Sequence, residues 1–138
     1  MRRRIPVSEI MTTNVITLNV SDAIEDAKLI FEDKSIRHIP IVKDKKVIGM
    51  LSSNDILKIA YADLSENDKD VDVSIFDWFT IEQVMTKNLY VVTPETSIED
   101  VGIIFSENEF HALPIVEDGE LVGIVTTTDL IKFLVNLF

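Results

Sequence analysis

The chain repeats itself, and that constrains it more than any other feature. The phrase Gly49-Met50-Leu51-Ser52-Ser53-Asn54-Asp55 returns as Gly123-Ile124-Val125-Thr126-Thr127-Thr128-Asp129. The same offset carries Val7–Lys58 onto Ile81–Lys132 without a gap, matching Met11-Thr12 with Met85-Thr86 and Pro40-Ile41-Val42 with Pro114-Ile115-Val116. Two copies are too few for a solenoid, so the expectation is a pseudo-symmetric pair packed face to face.

Each copy reads as β-α-β-β-α. A short helical piece (Val7–Met11, Ile81–Met85) leads into an extended segment, Val15–Leu18 or Leu89–Val92. Apolar residues at helical spacing predict helices over about 21–33 and 95–107. Asp22-x-x-Glu25 and Thr96-x-x-Glu99 resemble capping boxes at their starts. Two strands follow, Ile39–Val42 with Val47–Ser52 and Leu113–Val116 with Leu121–Thr126. Asp118-Gly119 suits a tight hairpin turn, whereas Lys45 at the glycine position predicts a looser one in the first copy. Pro40 and Pro114 fit the opening of a strand, where no ladder donor is lost. Last helices run from about Asn54 to Ala60 and from about Thr128 to the C-terminus. The organisation is repeat 1 over 7–61, an acidic linker with an aromatic segment over 62–80, and repeat 2 over 81–138. Within the linker, Ile75-Phe76-Asp77-Trp78-Phe79 either covers the core or stands exposed as an anchor for a partner or second subunit.

The repeated phrase places hydroxyl and amide side chains where a strand ends and a helix begins. Backbone donors collect at such a junction, and the helix N-terminus favours negative charge. The acids Asp55 and Asp129 can only accept, which suits a partner bringing hydroxyls, such as a ribose. The bland alternative is that both acids offset the helix dipole and the residues before them are ordinary N-caps.

Charge and composition exclude other functions. A net charge of −11 argues against a nucleic-acid surface, which needs clustered positive charge. The chain has no cysteine, so disulfides, thiolate catalysis and cysteine metal sites are absent, and a reducing, cytoplasmic setting is expected. No apolar run approaches the ~20 residues of a membrane span. Ser8 and Glu9 follow Arg2-Arg3-Arg4 too soon for a signal peptide. Two histidines at non-metal spacing, with no Gly-x-Ser-x-Gly or phosphate-loop lysine, leave no nucleophile–base pair, so no enzyme activity is expected.

The repeat length, the phrase His38-Ile39-Pro40-Ile41-Val42 and the two Gly-x-x-Ser/Thr-x-x-Asp motifs resemble the CBS domain, and two in tandem resemble a CBS pair, or Bateman module. The resemblance covers nearly the whole chain. It implies an α/β fold of two tandem repeats in a pseudo-two-fold pair with two clefts, commonly dimerised into a flat disc. It further implies an adenosyl ligand (AMP, ADP, ATP or S-adenosylmethionine), no required cofactor, and an unidentified protein target. Carried over residue by residue, one cleft combines Thr126, Thr128 and Asp129 with Thr13, Val15, Arg37 and His38. The other combines Ser52, Asn54 and Asp55 with Lys87, Leu89, His111 and Ala112. On that grouping Arg37 makes the Asp129 cleft the stronger phosphate site. Neither Asn54 nor Thr128 is basic, which leans toward AMP or an adenosyl ligand with an uncharged tail. The rival is a structural module that dimerises and binds no physiological ligand.

Overall fold

The structure, a computed structural model, describes residues 4–65 and 75–138. Most of the acidic stretch before Ile75 lies outside the described residues, as do Arg2 and Arg3. Ten elements follow in chain order: β1 (Leu18–Asn19), α1 (Ile24–Asp33), β2 (His38–Lys43), β3 (Lys46–Ser52), α2 (Ser53–Ser65), α3 (Ile81–Val84), α4 (Ile98–Glu107), β4 (Ala112–Glu117), β5 (Glu120–Thr126) and α5 (Thr127–Val135). Short 3₁₀ turns occupy Val7–Glu9 and Ile75–Trp78. No helix among the described residues is long and apolar enough to cross a membrane.

Two compact units form, and their boundaries are not those of the repeats. One contains Ile16–Asp44 and Ile48–Asn88; the other contains the N-terminal segment through Val15, Lys45–Val47 and Leu89–Phe138. Each unit is therefore one repeat's body completed by the other repeat's lead piece.

In the Asp55 unit, β1 pairs in parallel with β2, and β3 lies on the other side of β2. Leu18, Ile24, Ala27, Ile39, Ile41, Leu51 and Ile56 form its core, and Ile81 and Met85 from the second repeat's lead piece join them. The lead piece is also tied by its backbone. Met50 N donates to Thr86 O (3.0 Å) and Thr86 N to Met50 O (2.9 Å).

The Asp129 unit repeats the arrangement. β4 and β5 pair antiparallel, and Val92 forms a one-residue parallel bridge to Ile115. Its core is Val92, Val101, Phe105, Leu113, Ile115 and Val125, completed by Val7 from the first repeat's lead piece. Thr12 N donates to Ile124 O (2.9 Å) and Ile124 N to Thr12 O (3.0 Å). Arg4 lies 3.9 Å from Asp100, an exposed ion pair that contributes little.

Several local expectations need correction. Only the last residue of each extended segment, Leu18 or Val92, pairs in a sheet. Both prolines sit at the third strand position, not the first. Pro114 is tolerated because its carbonyl accepts from Val92 N (3.2 Å). In an antiparallel ladder a residue's N and O point the same way, so its missing donor faces Val92 and costs the β4–β5 ladder nothing.

The helix caps also fall one residue later than expected. Ser97 Oγ accepts from Asp100 N (3.0 Å), while Thr96 instead accepts from Thr93 N. In the first repeat Ala23 occupies the cap, and Asp26 accepts from Ala23 N (3.0 Å). The α2 helix continues five residues past Ala60, through Ser65, into the stretch expected to be linker. The aromatic segment divides its roles: Phe76 is buried in the core under the Lys28 ammonium (5.1 Å to the ring), whereas Trp78 is 66% exposed.

Candidate ligand-binding corners

Each repeated phrase folds into the same reciprocal cap. At the β3–α2 junction, Ser52 Oγ accepts from Asp55 N (3.2 Å), and Asp55 Oδ2 accepts from Ser52 N (2.8 Å). At the β5–α5 junction, Thr126 Oγ1 accepts from Asp129 N (3.2 Å), and Asp129 Oδ2 accepts from Thr126 N (2.9 Å). The hydroxyl and carboxylate thus satisfy two backbone donors left over where strand becomes helix. The bland alternative for these acids is realised in part, since one oxygen of each caps its helix. The other oxygen, Oδ1, accepts no hydrogen bond among the described residues, and both acids are half-buried. A carboxylate clamped by one oxygen presents the other in a fixed direction, which suits a hydroxyl donor.

The glycine that opens each phrase makes room for the exchanged lead piece. A Cβ on Gly123 would lie 2.8 Å from Met11 Sδ and 3.1 Å from Thr12 O. A Cβ on Gly49 would overlap Met85 Sδ and lie 2.8 Å from its Cγ. This close approach brings Thr12 onto β5 and Thr86 onto β3, each two residues ahead of its Thr126 or Ser52 cap. Thr13 and Lys87 are the next residues along.

Of the expected first-strand walls, three lie in the unit of their expected corner and Leu89 does not. Thr13 and Val15 belong to the unit of Thr126, Thr128 and Asp129, and Lys87 to that of Ser52, Asn54 and Asp55. Leu89 begins the following segment, in the Asp129 unit.

The residues before the prolines lie by their backbones beside the junction of their own repeat. Ser53 N donates to Arg37 O (2.9 Å), and Thr127 N donates to His111 O (3.0 Å). Arg37 and His38 are in the same compact unit as Ser52, Asn54 and Asp55, and His111 and Ala112 in that of Thr126, Thr128 and Asp129. The reason is the hairpin: a two-residue turn sets the start of one strand beside the end of the next in the same repeat.

The basic side chains are unequally shared between the two units. Arg37 and Lys87 are exposed and make no ion pair among the described residues. His38 is half-buried. Their equivalents in the other unit are His111, Thr13 and buried Ala112. Thr12, Thr86 and the methionines before them are site-building residues that motif reasoning left out of the site. Their signal was the repeated Met-Thr pair. Among the described residues, no group of three or more His, Cys, Asp or Glu side chains gathers as a metal site would require.

Comparison with known proteins bears on both units. Protein MJ1225 of Methanocaldococcus jannaschii is 35% identical over 130 residues, covering 94% of this chain but 42% of that protein. The CBS domain-containing protein YhcV of Bacillus subtilis is 29% identical over 124 residues, covering 90% of this chain and 81% of YhcV. The chain thus spans less than half of MJ1225. Among solved structures, the CBS domain pair of protein MJ0100, in complex with 5′-methylthioadenosine and S-adenosyl-L-methionine, superimposes with a TM-score of 0.78 at 28% identity. That match covers 99% of this chain and 100% of the other. The CBS domain family model matches residues 7–62 and again 81–136, so the chain belongs to the CBS domain family as a tandem pair.

Proposed function

We propose that this chain is a regulatory module, not an enzyme. It binds an adenosyl compound at its strand-to-helix corners and reports occupancy by a shift of population between conformations. The observation that carries this reading is the reciprocal cap at both junctions, which fixes Asp55 and Asp129 with one oxygen each uncommitted. The ribose hydroxyls are the donors those oxygens fit. Ser52, Asn54, Thr126 and Thr128 line the ribose and first phosphate. Thr13, Val15, Lys87 and Leu89, with Arg37, His38 and His111, supply the remaining contacts. The likeness to the MJ0100 pair, solved with two adenosyl ligands, supports the ligand class. The signal passes to a protein target or through a homodimer of the module.

A thermal-shift screen of AMP, ADP, ATP, S-adenosylmethionine, GTP and NADH tests this. A ligand at 100 times its dissociation constant adds about 2.7 kcal/mol to folding stability, a clear rise in melting point. Replacing Asp55 and Asp129 together by alanine should abolish that rise. No response to any adenosyl compound would overturn the reading.

Exposed apolar side chains at equivalent helix positions favour a second reading, assembly without a small ligand. Leu57 on α2 is 51% exposed and its counterpart Ile131 on α5 is 58% exposed. A dimer that forms equally with and without every ligand in the screen would support it.

A further inference from the structure

We infer that the Met11 thioether is a reversible oxidation site, and that its sulfoxide releases the end of the first lead piece from β5. The oxidant is a hydroperoxide. Its terminal oxygen passes to Met11 Sδ, the O–O bond breaks, and water or an alcohol leaves. The sulfur loses two electrons and the peroxide takes them up.

The chain has no cysteine, so its sulfur resides in Met1, Met11, Met50 and Met85. Met1 lies outside the described residues. Of the other three, Met50 is 7% and Met85 8% exposed, whereas Met11 is half-buried. Access of a small oxidant therefore selects Met11. Met85 is its equivalent in the second repeat and packs against the equivalent glycine, so the molecule carries its own control.

The position of Met11 gives the oxidation its consequence. A Cβ on Gly123 would lie 2.8 Å from Met11 Sδ, so the sulfur rests closely against the strand backbone. Met11 also packs on the core that contains Val7, Val101, Leu113 and Val125. A sulfoxide adds an oxygen to that sulfur and turns an apolar contact into a polar, chiral one. Thr12, next in the chain, makes the two backbone bonds to Ile124 that hold the lead piece on β5. The other end of the piece has independent ties. Val7 is fully buried, its N donates to Thr96 O (2.7 Å), and Ser8 N donates to Pro94 O (3.1 Å). Release is thus local to Met11 and Thr12. Ile124 stands two residues before Thr126, whose hydroxyl caps α5, so the loosened bridge adjoins the Asp129 corner.

Treating the full chain with dilute hydrogen peroxide, then mapping peptides by mass and amides by hydrogen exchange, tests this. Met11 should gain one oxygen well before Met50 or Met85. Protection of the Thr12 and Ile124 amides should then fall about tenfold or more, the loss expected for an overpacked contact. The Val7, Met50 and Thr86 amides should keep theirs. A methionine sulfoxide reductase should restore the lost protection. Met11→Leu keeps an apolar side chain of similar volume and should hold its protection before and after peroxide. It also separates Met11 from Trp78, an exposed side chain open to the same oxidant. If Met11→Leu folds poorly, the wild-type maps decide alone. Oxidation of Met50 or Met85 as fast as Met11 overturns the inference. So does Met11 sulfoxide with Thr12 and Ile124 protection unchanged, or a peroxide-induced loss of protection in folded Met11→Leu.

Discussion

Lys45 holds φ at 68°, in the left-handed region, and Asp44 before it is at 52°. Their counterparts Asp118 and Gly119 stand at 52° and 81°. The first hairpin is therefore as tight as the second, against the expectation of a looser turn. The hairpin imposes its turn and the lysine bears the cost, roughly 1–2 kcal/mol for a residue with a Cβ there. Glycine removes that clash but gives back part of the gain through the freedom it adds to the unfolded chain. Lys45→Gly should accordingly be about 1 kcal/mol more stable than Lys45→Ala, which isolates the backbone effect from loss of the side chain. Paired urea melts measure this; equal stability of the two variants would mean that the turn relaxes. At this scale the sequence was legible where residue type and position agreed, as at Asp118-Gly119. It was misleading where tertiary context overrode preference, as at Lys45. The corner acids were legible as residues, but the boundary that carries Leu89 into the Asp129 unit was not.

At the scale of elements, the lead pieces Val7–Met11 and Ile81–Met85 decide the arrangement. Their sequences are too alike for pattern to say which repeat body each completes. The glycine notches record the outcome: Met85 packs against Gly49 and Met11 against Gly123. The methyl group added by Gly49→Ala should cost about 1–3 kcal/mol through overpacking. Met85→Ala should itself cost about 2–5 kcal/mol, since Met85 is buried. The two should not add. Truncating Met85 removes the atoms that the new methyl would strike, so the double variant should be at least about 1 kcal/mol more stable than the sum of the singles implies. The same cycle at Gly123 and Met11 should recover less, because the carbonyl of Thr12 remains 3.1 Å from the new methyl. Additivity at Gly49 and Met85 would show that the helix piece moves away instead of repacking.

For the molecule as a whole, the exchange means that folding units and sequence repeats are different objects. Repeat 1 as the sequence delimits it, residues 7–61, lacks Phe76, Ile81 and Met85, all buried in the core built around Ile39, Ile41 and Leu51. Losing one large buried side chain costs about 2–5 kcal/mol, and a small domain has only about 5–15 kcal/mol in total. Three such losses exceed what so short a chain can bear. A fragment of residues 16–88 keeps every member of that core, keeps the Met50–Thr86 bridge, and keeps the Ser52–Asp55 cap. It should unfold cooperatively in urea, whereas 7–61 should show no transition. The fragment also carries a functional expectation, since it contains the Asp55 corner but not the Asp129 corner. Protection of 16–88 by any adenosyl compound of the screen would show that a single unit is enough to hold the ligand. Cooperative unfolding of 7–61 would instead show that the lead piece is an ornament on a core complete without it.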